Sequence, residues 1–155
     1  MNFRVHALPE NLFARYFQLP EEELRRQGGL MRIVDKRPGF PCRVSLEDAL
    51  EGERILLINY EHQPAATPYR STHAIYVRER AQTAKCELGQ VPELFRSRLM
   101  SVRAFDRDGM MVDADVVEGR MLESTIERLL SAKAAQYLHL HYARPGCYAA
   151  RVERE

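Results

Sequence analysis

Met100-Ser101-Val102-Arg103-Ala104-Phe105-Asp106-Arg107-Asp108-Gly109-Met110-Met111-Val112-Asp113-Ala114-Asp115-Val116-Val117-Glu118 is the clearest hairpin in the chain. Two apolar runs flank Asp108-Gly109, the strongest short-range signal for antiparallel strands joined by a tight turn. Successive side chains on a strand point to opposite faces. Asp113 and Asp115 therefore share a face with Val102 and Ala104, Arg103 lies on the other face, and Asp106 falls at the turn. Paired carboxylates can hold Mg²⁺ or share acid–base work. A solvated hairpin face accounts for them better.

Reading outward toward the C-terminus, Arg120 to Lys133 carries Leu122, Ile126, Leu129 and Leu130 at helical spacing. Tyr137-Leu138-His139-Leu140-His141-Tyr142 then reads as a strand, with Tyr137, His139 and His141 on one side and Leu138, Leu140 and Tyr142 on the other. Pro145-Gly146 makes a turn, and Cys147 to Val152 reads as a last strand able to pair back on the Tyr137 strand.

In the other direction, Pro92 opens a short helix with Val91, Leu94, Phe95 and Leu99 on one face. His73 to Arg80 and Arg54 to Tyr60 read as strands, the second apolar enough (Ile55, Leu56, Leu57, Ile58) to be buried on both faces. Glu61 to Thr72 and Ala81 to Gln90 read as polar loops. Ser45-Leu46-Glu47-Asp48 fits a capping box and predicts one helical turn over Leu46 to Leu50, ending at Gly52. Arg37 to Arg43 is too rich in proline for helix or central strand.

Leu30 to Val34 predicts a strand and Phe3 to Ala7 another. Between them, Pro9 opens a helix bearing Leu12, Phe13, Tyr16 and Phe17 on one face. Pro20 opens a second, with Glu21, Glu22 and Glu23 first, Arg25 and Arg26 last, and Gly28-Gly29 as the stop. Strands arrive as neighbours and hairpins rather than in βαβ alternation. The fold class is therefore α+β: a mostly antiparallel or mixed sheet of about six or seven strands. Helices from the N-terminal segment, Pro92 and Arg120 pack on it, and residues 1–155 form a single globular domain.

Composition narrows the function only by exclusion. With 45% apolar residues the chain can bury a sizeable core, and a net charge of +1 with no Trp and no basic stripe argues against nucleic-acid binding. Lys36, Lys85 and Lys133 are the only lysines. Arg suits bidentate contacts to carboxylate or phosphate, and a GC-rich genome gives the same bias. No apolar run approaches the roughly 20 residues of a membrane helix, and no signal-peptide pattern opens the chain, so a cytoplasmic protein is expected. Cys42, Cys86 and Cys147 are an odd set without C-x-x-C spacing, which argues against a disulfide framework or zinc knuckle. The phosphate-loop, dinucleotide, nucleophile-elbow and H-E-x-x-H motifs are all missing.

Beside the paired carboxylates of the hairpin, three further constellations could carry chemistry. His139-x-His141 offers two imidazoles from one strand face to a single metal such as Zn²⁺ or Fe²⁺, which would need at least one further ligand. Cupins carry His-x-His with a Glu a few residues later, where this chain has Arg144-Pro145-Gly146. Histidine-triad hydrolases carry a third alternating His, where it has Ala143. The structural alternative is one imidazole hydrogen-bonded in the core and the other lining a cleft or the surface. The second constellation is Tyr60-Glu61-His62 with Tyr69-Arg70-Ser71-Thr72-His73, where Arg70 and Ser71 could hold a small anionic molecule. A Pro-stiffened loop satisfying its own backbone is the alternative. The third is a pair of similar turns, Arg37-Pro38-Gly39-Phe40-Pro41-Cys42 and Arg144-Pro145-Gly146-Cys147, each placing a thiol at the start of a strand. Arg43, Arg144 or a histidine could activate either thiol. A small buried Cys that merely packs is the commoner case.

Pro38-Gly39-Phe40-Pro41-Cys42-Arg43-Val44-Ser45-Leu46, Asn59-Tyr60-Glu61-His62, Pro68-Tyr69-Arg70-Ser71, Ile75-Tyr76-Val77-Arg78-Glu79, the Arg103 to Asp115 hairpin and His139-x-His141 through Gly146-Cys147-Tyr148-Ala149 resemble a small bacterial family. It is the domain-of-unknown-function family numbered 1203. The resemblance spans nearly the whole chain. It implies a bacterial single-domain protein of this length and brings no activity, cofactor or catalytic residue.

Two functional classes follow from the residues. In the first, a small enzyme or metal-assisted catalyst, one end of the sheet collects the site. Cys42, His62 and His141 are its catalytic candidates, and His139 and His141 its metal ligands. Arg43, Tyr69, Arg70, Ser71, His73 and Cys147 hold the ligand. In the second, the same Arg and aromatic residues build a non-enzymatic ligand pocket or a homo-oligomer surface.

Overall fold

The computed structural model describes residues 1–155. From the N-terminus, β1 (Phe3–His6) leads into two short 3₁₀ helices (Glu10–Leu12 and Ala14–Gln18), then α1 (Glu21–Arg26), β2 (Gly29–Ile33), β3 (Arg54–Gln63) and β4 (Ser71–Arg78). The second half holds α2 (Glu93–Arg96), β5 (Leu99–Phe105), β6 (Met111–Glu118), α3 (Leu122–Ser131), β7 (Tyr137–Tyr142) and β8 (Tyr148–Arg154). The strands form two antiparallel sheets, one ordered β1-β8-β7-β5-β6 and one ordered β2-β3-β4. The fold is α+β. No helix is long and apolar enough to cross a membrane.

The chain divides into two compact units, one of residues 1–6, 61–73 and 85–155 and one of residues 7–60 and 74–84. The first unit contains the whole five-stranded sheet. It also contains the tip of the β3–β4 hairpin, because β3 passes from the second unit into the first after Tyr60 and β4 returns after His73.

In the first unit the hairpin read from Asp108-Gly109 pairs Ser101 with Val116, Val102 with Asp115, Arg103 with Ala114 and Ala104 with Asp113. Asp106 sits at the turn, where its Oδ1 accepts the N–H groups of Asp108 and Met110 at 2.9 Å each. One face of the sheet carries Met100, Val102, Ala104, Leu138, Leu140, Ala150 and Val152, all 1% exposed or less. α3 contributes Leu122, Ile126, Leu129 and Leu130, none more than 1% exposed, and packs on β5, β6 and β7. Each such Leu or Ile contributes about 1.5–3 kcal/mol of burial. Asp115 lies on this face and pairs with Arg128 of α3, which identifies it as a surface ion-pair partner.

The second unit packs Val34, Phe40, Ala49 and Ile55 with the Tyr76 ring. Arg78 bonds the carboxylates of both Glu53 and Glu47. Burial disfavours the charged carboxylate of Glu53, but Arg78 and the Leu50 N–H outweigh it and hold the group below the usual range.

Three local expectations are corrected. The Pro9 helix is two 3₁₀ segments, with Phe13 3% exposed and Leu12 turned out. Leu19, preceding Pro20, is extended at ψ 144°, as a pre-proline residue prefers, so the helix has no room to grow. Residues 46–50 form no helical turn, and Leu46 is left-handed at φ 52°. Cys42 organises the segment instead. Its N–H donates to Glu47 O, its carbonyl accepts from Leu46, and its Sγ accepts the N–H groups of Val44 and Ser45 at 3.4 Å each and of Arg78 at 3.3 Å. Glu47 is thereby used by Arg78 rather than as a cap. Third, β3 and β4 extend into the stretch read as a polar loop. Gln63 is 3% exposed, and its Nε2 donates to the Tyr137 hydroxyl at 2.8 Å, satisfying a polar group that sequence assigns to solvent.

Gly119 tests the packing of α2 within the first unit. A Cβ built there would lie 1.8 Å from the carbonyl oxygen of Phe95. Gly119→Ala is expected to lower stability by about 1–3 kcal/mol, the cost of overpacking. A urea midpoint unchanged from the parent would show that α2 is not held against this position.

Candidate functional site: a buried histidine cluster

β7 is buried at every position, so half of its side chains must be accommodated opposite α3. Those are Tyr137, His139 and His141, 8%, 1% and 0% exposed. β5 runs antiparallel beside them, placing Arg103 opposite His139 and Ser101 opposite His141. On the other side β8 places Arg151 opposite His139. The β7–β8 register shifts between Leu140 and His141, which brings Tyr148 opposite His141. Such irregularities re-aim side chains.

His62 and His73 join this face from the tip of the β3–β4 hairpin. The His62 ring stands 5.5 Å from His139 and 5.0 Å from His141, edge to face in both cases. It stacks on Tyr148 at 4.9 Å and on His73 at 4.8 Å, nearly parallel to each. One ring nitrogen from each of His62, His139 and His141 lies within 4.8 Å of those of the other two.

Hydrogen bonds fix which nitrogens remain. His141 Nδ1 is 3.0 Å from the carbonyl oxygen of Gly146, which can only accept. Nδ1 therefore carries the proton and Nε2 bears a lone pair. His62 Nε2 is 2.7 Å from His73 Nδ1, so one of the two donates to the other. The buried Nδ1 of His62, Nδ1 of His139 and Nε2 of His141 have no hydrogen-bond partner in the protein. A buried polar atom left in this state is costly.

The His62, His139 and His141 rings are held neutral. Burial is the largest cause for each ring. It pushes His62 down to about 4, reinforced by His73 and Arg103. His139 is pushed to about 2, with added repulsion from His62, His141, Arg151 and Arg103. His141 goes to about 3 even though its bond to Gly146 favours the charged form. Arg103 is itself desolvated, and its one hydrogen bond runs from Nε to Ser101 Oγ at 3.4 Å. Arg151 is compensated: its Nε donates to Glu153 at 2.7 Å, and its guanidinium lies 3.7 Å over the Tyr137 ring.

The structure thus brings four residues singled out in the sequence, His62, His73, His139 and His141, to one place. Arg70 is exposed and paired with Glu61 at 2.8 Å, and Ser71 donates to the Tyr69 carbonyl. The Tyr69 ring meets Phe105 edge to face at 6.3 Å, and Phe105 in turn lies 5.0 Å from His139. Cys42 and Arg43 belong to the second unit, where Cys42 is fully buried and the Arg43 guanidinium donates to the Pro41 carbonyl at 2.6 Å. Cys147 is half-buried in the first unit, and its carbonyl accepts the Tyr142 N–H. None of the three cysteines forms a disulfide. Nothing in the sequence alone marks Arg103, Arg151, Tyr148 or Gln63 as site residues. Alternation separates Arg103 from the acids of its hairpin, but only the pairing of β5 with β7 sets it beside His139.

Fold and site together define an α+β protein with a buried cluster of neutral imidazoles. Residues 39–154 match the family described as protein of unknown function (DUF1203), and the chain belongs to that family. No curated protein and no solved structure matches it.

The depressed imidazole pKa values make stability pH-dependent in the metal-free protein. An unfolded histidine protonates near 6.5, whereas the folded ones resist until about 4 and below. The unfolded state then binds more protons, so stability is full above about pH 6.5 and falls as pH drops toward the folded values. The urea midpoint of the chelator-treated protein is expected to decline between about pH 6.5 and 5, before carboxylates titrate. His139→Leu should flatten that decline, and an equally steep one in the variant would contradict the assignment.

Proposed function

We propose that this protein binds one divalent transition-metal ion through His62, His139 and His141, and that the ion serves a metal-assisted reaction on a small molecule. The observation that carries this reading is the convergence of three buried imidazoles, each with a ring nitrogen lacking a protein partner. Three neutral nitrogen donors suit zinc, iron, nickel or copper rather than Mg²⁺ or Ca²⁺, which prefer oxygen. Nitrogens about 2.0–2.1 Å from a tetrahedral ion are about 3.4 Å apart, so nitrogens within 4.8 Å of one another need to close by at most about 1.4 Å. Two supports of metal sites are also present: the Gly146 carbonyl holds the His141 tautomer, and His73 engages the far nitrogen of His62.

Three protein ligands leave a fourth position open, which is the pattern of catalytic rather than structural zinc sites. An ion held there acts as a Lewis acid on a bound water or substrate oxygen. The residues of this chain supply the surroundings: Tyr148 and Phe105 wall the imidazoles, and burial keeps the donors unprotonated at neutral pH.

Titration calorimetry of chelator-treated protein with Zn²⁺ tests the reading. One ion per chain is expected at neutral pH. His139→Leu or His141→Leu should abolish stoichiometric uptake while circular dichroism keeps its α+β signature. His73→Phe should weaken binding by about 10–100-fold, as loss of an outer-shell partner does. No uptake by the parent protein, or equal uptake by His139→Leu, would overturn it.

A further inference from the structure

The charge around the cluster points to the ligand class. None of the three metal-ligand candidates is a carboxylate, so a bound divalent ion would keep its full charge. Arg103 adds another positive charge on the same face, directly across β5–β7 from His139. Its guanidinium has no acidic partner. Its Nε reaches only Ser101 Oγ, at 3.4 Å, and it is half-buried. Asp113 and Asp115 of its own hairpin lie on the opposite face, and Asp115 is taken by Arg128. Arg151, the other cation flanking His139, is already neutralised by Glu153. A dication beside an uncompensated, partly desolvated guanidinium is unfavourable unless an anion joins them.

We propose that the site takes a small oxyanion, a carboxylate or phosphate group, with one oxygen at the open position of the metal and another on the Arg103 guanidinium. This rests on the three-histidine metal reading and adds the substrate class to it. The planar guanidinium fork matches two oxygens of a carboxylate or phosphate, which an ammonium does not. The walls set the size. Phe105 lies 5.0 Å from His139, Tyr137 stacks on Phe105 at 5.4 Å, and Tyr148 covers His62. Apolar rings exclude water around the anion and strengthen its contacts with both cations.

Cobalt(II) loaded into the full-length protein supplies the readout, because its visible bands report ligands entering the fourth position. Parent, Arg103→Met and Arg103→Lys proteins are titrated with acetate and, separately, with inorganic phosphate at neutral pH. All three proteins should bind Co²⁺. Acetate, phosphate or both should shift the bands of the parent, and the responding anion tells carboxylate from phosphate. Arg103→Met should weaken that anion by about tenfold or more, the worth of a charge-assisted bond, with Arg103→Lys in between. If Co²⁺ binds but neither anion moves the spectrum, or Arg103→Met titrates like the parent, the oxyanion inference is overturned and the metal reading stands. If the parent takes up no Co²⁺, the metal reading itself fails.

Discussion

Across the centre of the larger sheet, Arg103, His139 and Arg151 stand side by side on β5, β7 and β8, and α3 covers the opposite face of β5 and β7. Once Leu138 and Leu140 are committed to α3, alternation leaves His139 and His141 no choice but the other face. There they are covered in turn, by His62, Tyr148 and Phe105. Burial and alternation together create a patch where imidazoles are enclosed without enough partners in the protein to satisfy them.

That patch costs stability, and the cost is a clue to its use. A core of the same shape filled with leucine would hold the sheet together without orphaned nitrogens. Instead, the chain keeps four imidazoles and an uncompensated guanidinium on one face, and the low dielectric keeps the His62, His139 and His141 rings neutral. A neutral imidazole is a poor hydrogen-bond citizen in a dry pocket and a good metal ligand. The tautomer set by Gly146 directs the lone pair of His141 to its unpartnered Nε2. Metal and oxyanion would each relieve a strain that the other leaves: the ion takes the lone pairs, and the anion balances the ion and Arg103.

Much of the larger sheet was legible from local signals. Asp108-Gly109 announced β5 and β6, strict alternation oriented β7, and Pro145-Gly146 announced β8. Periodicity alone predicts one N-terminal helix because it does not show that Leu19 is extended before Pro20. The capping box at Ser45 failed because the Cys42 backbone and Sγ claimed the groups that a helix would have used. For the site, His-x-His and the paired His62 and His73 stood out by residue type and spacing. Their convergence did not, because it depends on which strands are neighbours and on β3 continuing through polar Glu61-His62-Gln63. Gln63 is stabilised in that strand by the Tyr137 hydroxyl, a contact 74 residues away in sequence. Arg103 was invisible for the same reason: its role follows from strand order, not from anything near it in the chain.

The central claim is that three imidazoles share one metal ion. X-ray absorption at the zinc edge of the zinc-loaded protein tests it most directly. The account predicts a first shell of light scatterers at about 2.0–2.1 Å with the outer-shell pattern of about three imidazole rings. A sulfur shell near 2.3 Å, or a shell of oxygen without imidazole scattering, would contradict it.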